Sequence, residues 1–176
     1  VRPYDDRYVI AGQGTVGREI AVQAGATVPD AVVVPASGGG LMAGCALALE
    51  GTGASLFTAE PAGFDDHARS LAAGTRLANE PGRASICDAL MAPRPGEITF
   101  AINGTRLAAG LAVTDAEALA AMRFAFHEFK LVLEPGGAVA LAAVLAGRVP
   151  GSPETIAVVA SGGNVDRARF IEALSA

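Results

Sequence analysis

Apolar residues follow two spacings along this chain, and the alternation between them is its main structural signal. Ala31-Val32-Val33-Val34, set off by Pro29 and Asp30, is a short continuous apolar run of the kind that forms a strand buried on both faces. Ser55 to Ala59 and Thr155 to Ala160 read the same way, and Leu111-Ala112-Val113 is a shorter case. Helical stretches lie between them. Leu41 to Glu50 is one, and Asp65-Asp66 opens another that runs to about Ala73, Asp being favoured at helix starts. Thr114-Asp115-Ala116-Glu117 reads as a capping box, and the helix behind it sets Leu119, Met122, Phe126 and Phe129 on one apolar face before ending near Leu131. Pro135 then interrupts, Gly136-Gly137 turn the chain, and Ala138 to Ala146 form a further helix. A short terminal helix follows Asn164. Tyr8 to Ala11 predicts a short first strand, with Gly12 to Gly17 as a loop and Arg18 to Ala24 as the next helix. Gly74 to Gly96, rich in Pro, Gly, Asn and Arg, is expected as loop. The alternation predicts an α/β fold with an open, largely parallel sheet and helices on both faces. No repeat, low-complexity tract or linker divides residues 1–176.

Composition narrows the function. The chain is 51% hydrophobic, rich in Ala and Gly, with no apolar run of membrane-spanning length and no basic leader, so a soluble, cytoplasmic protein is expected. A net charge of −5 with no basic cluster argues against a nucleic-acid surface. Cys45 and Cys87 have no spacing pattern and are expected free and reduced. His67 and His127 are too few and too isolated for a zinc site.

The stretch with most chemistry in it is Pro35-Ala36-Ser37-Gly38-Gly39-Gly40-Leu41, between a strand and a helix. Bare backbone N–H groups at a helix start make an anion cradle, and glycine lets that backbone approach a phosphate. A Walker A loop is excluded, because Leu41-Met42 follow Gly40 and the only lysine is Lys130. Gly12-Gln13-Gly14-Thr15-Val16-Gly17 matches the dinucleotide pattern G-x-G-x-x-G. That reading also needs an acidic residue ending the next strand, where Val34-Pro35-Ala36 stands. Ser37 and Ser161 lack the glycine two residues earlier that a nucleophile elbow requires, having Pro35 and Val159 there. In parallel sheets ligands sit at the carboxyl ends of strands. The cradle, Glu60, Ser161 and the Gly12 loop are all expected at that edge.

Taken together, Pro35 to Leu41, Ala59-Glu60-Pro61, Asp65-Asp66, Leu133-Glu134-Pro135-Gly136-Gly137 and Ser161-Gly162-Gly163-Asn164 resemble the fold-type II pyridoxal-phosphate enzymes. The likeness runs end to end, and its nearest branch is the threonine/serine dehydratase (ammonia-lyase) and serine racemase group. Arg2-Pro3-Tyr4-Asp5-Asp6 and Gly12-Gln13-Gly14-Thr15 fit the same group. The resemblance implies pyridoxal 5'-phosphate as cofactor, with Ser37, Gly38, Gly39, Gly40 and Leu41 around its phosphate and Ser161 facing its ring nitrogen. A neutral hydroxyl there makes the ring a weaker electron sink than a carboxylate partner would, which suits elimination or racemisation. Ser161 also reads as a helix N-cap.

The resemblance further implies a Mg or Mn site at Glu60, Asp66 and the backbone oxygen of Phe64, and Glu134 as an acid near the substrate pocket. A small amino-acid substrate and a homo-oligomer, a dimer, are implied as well. Gly136, where relatives carry Ser or Thr, and Ala89, where threonine-type members have Gly, depart from the pattern. Cys87-Asp88-Ala89-Leu90 resembles the phenylserine-type dehydratases. The family's cofactor-bearing lysine belongs to an N-terminal half beyond this chain, which begins at Val1; Lys130 matches a solvated helix lysine instead. The expectation is therefore a hydroxyamino-acid dehydratase forming a 2-oxo acid and ammonia, present as its C-terminal part and inactive alone. The alternatives are a racemase of the same family and a non-catalytic phosphate- or nucleotide-binding domain.

Overall fold

The computed structural model of the chain describes residues 2–175. Its four strands are β1 (Ala31–Pro35), β2 (Ser55–Pro61), β3 (Ala109–Val113) and β4 (Ile156–Val158), in the order β3-β2-β1-β4. Every pairing is parallel, with Val33 opposite both Phe57 and Val158 and Ala59 opposite Leu111. All carboxyl ends therefore share one edge. The helices are α1 (Arg7–Ala24), α2 (Gly40–Ala48), α3 (Asp66–Ala73), α4 (Glu97–Asn103), α5 (Asp115–Phe124), α6 (Pro135–Leu145) and α7 (Arg167–Ser175).

Strand alternation divides the core. Val32, Val34 and Leu56 pack with Met42 and Cys45 of α2 and, beneath it, Val16 and Ile20 of α1. Ala31, Val33, Phe57 and Ala59 point the other way, onto the alanine-rich α6 and onto Ala121 and Met122 of α5. This is the expected α/β architecture. Two apolar layers cover an all-parallel sheet, so its strands read as unbroken hydrophobic runs.

Several local expectations differ. Tyr8 to Ala11 is not a strand and Gly12 to Gly17 is not a loop; both lie inside α1. Asp6 caps that helix, its Oδ1 accepting from the N–H groups of Tyr8 at 2.8 Å and Val9 at 3.3 Å. The glycines serve packing instead. A Cβ on Gly17 would stand 2.9 Å from the Cα of Cys45, and one on Gly44 would run into the backbone of Gly14 and Ile10. The expected break at Pro135 to Gly137 is the first turn of α6, where proline has no helical N–H bond to lose. α4 falls in no expected element, because its buried residues are the polar Thr99 and Asn103.

The α5 capping box forms as expected, Thr114 and Glu117 exchanging both bonds. Beyond Phe124 the chain continues as a π-helical segment, Ala125–Phe129, which shifts the register. Phe126 stacks edge-on against Phe170 of α7, while Phe129 is left exposed against Phe124. Lys130 ends this segment at φ 58°, its Nζ donating to the carbonyl of His127 at 2.7 Å. Both cysteines are free and buried, and burial pushes each thiol up to about 11.

Candidate functional site

β1 ends at Pro35 and delivers the chain into Ser37-Gly38-Gly39-Gly40 at the carboxyl edge. Gly39 caps α2 with φ 93° and ψ 6°, a left-handed conformation that excludes most side chains, and gives no side-chain cap. The carbonyls of this loop are tied down from behind. Gly38 O accepts from Thr99 Oγ1 at 2.6 Å and from Gly96 N–H at 3.1 Å. Gly39 O accepts from Ala43 N–H at 2.9 Å. Among the described residues, the N–H groups of Ser37 through Leu41 find no protein acceptor. Five consecutive donors thus face a cavity at the positive end of a helix.

That cavity, about 400 Å³, is lined by the whole loop, by Tyr4, by Asp88 to Ala92 and by Ser161. Ser161 reaches it because β4 runs parallel to β1 and ends beside it. It lies six residues ahead of α7 and caps nothing, so of the two readings of Ser161 the N-cap is corrected. Ser37 is committed differently from a simple phosphate donor: its Oγ accepts from Ala92 N–H at 3.0 Å and fixes the Asp88–Ala92 loop over the cradle. Tyr4 packs directly on Gly38 and Gly40; a Cβ on Gly38 would enter its ring. The next residue, Asp5, caps α4 from a distance of ninety-two residues in sequence, accepting from Glu97 N–H at 3.0 Å and Ile98 N–H at 2.8 Å.

Glu134 lies elsewhere. It precedes α6, with its carboxylate against Gly162, and lines a separate recess with Ser85, Asp166 and Arg169. Among the described residues, Asp88 alone borders both spaces. Lys130, the only lysine of the sequence, lines neither.

Beside the cradle, on the α2-facing side of β2, Glu60 is wholly buried. Its Oε1 accepts from His67 N–H at 3.0 Å and its Oε2 from Ala68 N–H at 2.9 Å, so Glu60 caps α3. Asp65, the expected cap, makes no cap bond and instead accepts from Arg69 Nε at 3.1 Å. Asp66 opens α3 at 1% exposure; its Oδ1 takes a bond from Asn79 Nδ2 at 2.5 Å and its Oδ2 has no partner. Phe64, also buried, occupies the turn two residues ahead of it. No Lys or Arg pairs with Glu60 or Asp66 among the described residues. Burial, reinforced by the charge of Glu60, pushes the Asp66 carboxyl up to about 6 against the hydrogen bond from Asn79. Two adjacent buried carboxylates with an unmet oxygen suit a hard cation.

Sequence patterns placed the cradle, Glu60 and Ser161 at this edge and the family resemblance added Asp66, while the Gly12 stretch expected here lies within α1 instead. They missed Tyr4, Thr99, His67 and Asn103. Tyr4 lies next to the recognisable Asp5-Asp6 pair, but the other three are polar residues on helices, where periodicity carries no signal.

A family model described as pyridoxal-phosphate dependent enzyme matches residues 1–162. The serine racemase of Arabidopsis thaliana is 37% identical over 173 residues, covering 94% of this chain and 51% of its own length. The beta-hydroxyaspartate dehydratase of Paracoccus denitrificans is 34% identical over 168 residues, covering 94% of this chain and 52% of its own length. The crystal structure of the T.th. threonine deaminase superposes with a TM-score of 0.87 at 42% identity, over 93% of this chain and 56% of that one. The chain belongs to the fold-type II pyridoxal-phosphate dependent enzymes, in the serine racemase and threonine dehydratase group. It spans about half the length of the curated relatives it matches. Among the described residues, no helix is long and apolar enough to cross a membrane.

Proposed function

We propose that this chain is the phosphate-holding C-terminal part of a pyridoxal-phosphate-dependent dehydratase that converts a small hydroxyamino acid to a 2-oxo acid and ammonia. The observation that carries this reading is the row of five unmatched backbone donors sharing one cavity with Ser161. The Ser37–Leu41 amides would hold the cofactor phosphate, and the Ser161 hydroxyl would lie beside the ring nitrogen as an uncharged partner. Bound pyridoxal phosphate supplies the electron sink that acidifies the substrate α-C–H and lets the β-hydroxyl depart. The residues of this chain bind and orient. Thr99 and the Ala43 N–H hold the Gly38 and Gly39 carbonyls away from the phosphate, and Ser37 closes the Asp88–Ala92 loop over it. The amine that carries the cofactor would come from outside these residues, since Lys130 does not line the cavity and its Nζ is engaged by the His127 carbonyl. Glu60, Asp66 and the Phe64 carbonyl would hold a divalent cation that neutralises the paired carboxylates and stiffens the α3 start next to the cradle.

The test has two arms. Calorimetry on this chain should show pyridoxal 5'-phosphate binding at least about tenfold more tightly than pyridoxal, as charge-assisted phosphate contacts require. Equal affinities overturn the cradle assignment. The complete protein containing this chain should release 2-oxo acid from a serine, threonine or hydroxyaspartate substrate. Accumulation of the opposite enantiomer without 2-oxo acid makes it a racemase instead, the activity named for its Arabidopsis thaliana relative.

A further inference from the structure

Three of the buried polar atoms that lack a hydrogen-bond partner are carried by neighbouring side chains: Asp66 Oδ2, His67 Nδ1 and Asn103 Oδ1. His67 is wholly buried, and its ring is held at both ends. Nδ1 faces Glu60 Oε1 at 3.6 Å, too long for a hydrogen bond, and Nε2 lies 3.3 Å from the Asn103 amide. The ring cannot swing away, because a Cβ on Gly39 of the cradle would already stand 2.6 Å from Nε2. One donor atom each from Glu60, Asp66 and His67 lie within 4.8 Å of one another. Ligands on one ion with bonds of about 2.1 Å are separated by up to about 4.2 Å, so movements of under about 1 Å close the triad.

We infer that His67 Nδ1 is a ligand of the cation held by Glu60 and Asp66, and that the site therefore takes a nitrogen-accepting first-row divalent ion, such as manganese or cobalt, in preference to magnesium or calcium. The inference rests on the cation reading above and specifies its donor set. Carboxylates with carbonyl or water suit magnesium, calcium and manganese alike, whereas an imidazole ligand favours the transition ions. With Nδ1 bound to the ion, the ring proton sits on Nε2. The Asn103 amide accepts it once turned so that Oδ1 faces the ring, a turn that gives up the long 3.4 Å bond from Nδ2 to the Gly39 carbonyl in exchange. A single ion then answers Asp66 Oδ2 and His67 Nδ1 together. It also gives the ligand histidine the outer hydrogen-bond partner that such ligands need, on a side chain packed against the cofactor cradle.

The test loads this chain, first stripped with a chelator, with manganese and records pulsed electron paramagnetic resonance. Modulation from a directly bound imidazole nitrogen is expected, changing as it should when histidine is labelled with ¹⁵N. In His67→Gln the modulation should vanish. Manganese affinity should fall at least about tenfold, while the magnesium dissociation constant moves less than about twofold. Asp66→Asn should weaken both ions. If manganese binds, responds to Asp66→Asn and shows no nitrogen coupling, His67 is not a ligand and the inference is wrong while the cation reading stands. If neither ion binds in an Asp66-dependent way, the cation reading fails and takes the inference with it. The labelled parent protein decides the question even where His67→Gln does not fold.

Discussion

Two glycine-rich stretches in this chain look interchangeable on paper and behave as opposites. Gly38-Gly39-Gly40 opens α2 and leaves its donors unmet at the sheet edge. Gly12, Gly14 and Gly17 lie within α1, where every N–H belongs to a helix, and two of them let α1 and α2 approach to backbone contact. The seam between those helices is close where Gly14 and Gly17 meet Gly44 and Cys45, backbone against backbone. The carboxyl edge of the sheet is incomplete, with five free amides on one side of Gly39 and a pair of buried carboxylates on the other. Glycine spacing alone therefore does not announce a phosphate site. What distinguishes the two is the backbone position of the glycine, before a helix or inside one, and that depends on where the preceding residues cap.

The largest expected effect breaks the cradle side. Gly39→Asp puts a side chain at φ 93°, in the space of His67 Nε2, and adds a carboxylate where an anion should sit. Binding of pyridoxal 5'-phosphate should fall by at least about 100-fold, on the order of 2.7 kcal/mol. Titration of the folded variant, checked by circular dichroism, measures it. Retained affinity would mean that the anion is held elsewhere and that the contrast between the two glycine stretches has been misread.

Much of this contrast was legible in advance, and where it was not the reasons are physical. The buried strands announced themselves because a sheet covered on both faces leaves no polar alternation; Val32 and Val33 face different layers and are equally apolar. The cradle and Ser161 were legible because parallel strands carry their ends to one edge. The first helix was not, because its contact face is made of Gly14 and Gly17, which carry no hydrophobic signal, and because the tyrosine and β-branched residues at its start suit a strand equally well. Asp6, its cap, stood within view but was not decisive. α4 escaped for the reverse reason, its buried side chains being Thr99 and Asn103. The role of Glu60 as the α3 cap depends on a contact between strand and helix that adjacent Asp65 and Asp66 imitate locally.

A second prediction uses charge to separate the regions. In the cation-free protein Asp66 titrates near 6 when folded against 3.8 as its reference value. The native state then holds a proton more readily than the unfolded chain between those values. Stability should accordingly decline as pH rises from about 4 to about 6 and level off above, by roughly 2–3 kcal/mol at about 1.4 kcal/mol per pH unit. Asp66→Asn should flatten that slope. Urea unfolding at a series of pH values, in chelator, reads it directly; a slope of the opposite sign would show that Asp66 gains more from Asn79 than it loses to burial and Glu60.

The smallest effects sharpen the seam. Gly44→Ala forces a methyl into the backbone of Gly14 and Ile10, which cannot yield as a flexible side chain would. It should cost about 1–3 kcal/mol despite alanine's better helix propensity. Gly12→Ala, two residues from Gly14 on the same helix, meets nothing within 4 Å. There the methyl only restricts the unfolded chain and favours the helix, so about 0.5–1 kcal/mol of added stability is expected. Neither change should alter the affinity of the folded chain for pyridoxal 5'-phosphate, because neither touches the Ser37–Leu41 donors. Paired urea curves and phosphate-ligand titrations decide it. A loss of cofactor affinity in Gly12→Ala without a loss of stability would return that stretch to the binding site, and the division between packing glycines and binding glycines would fall.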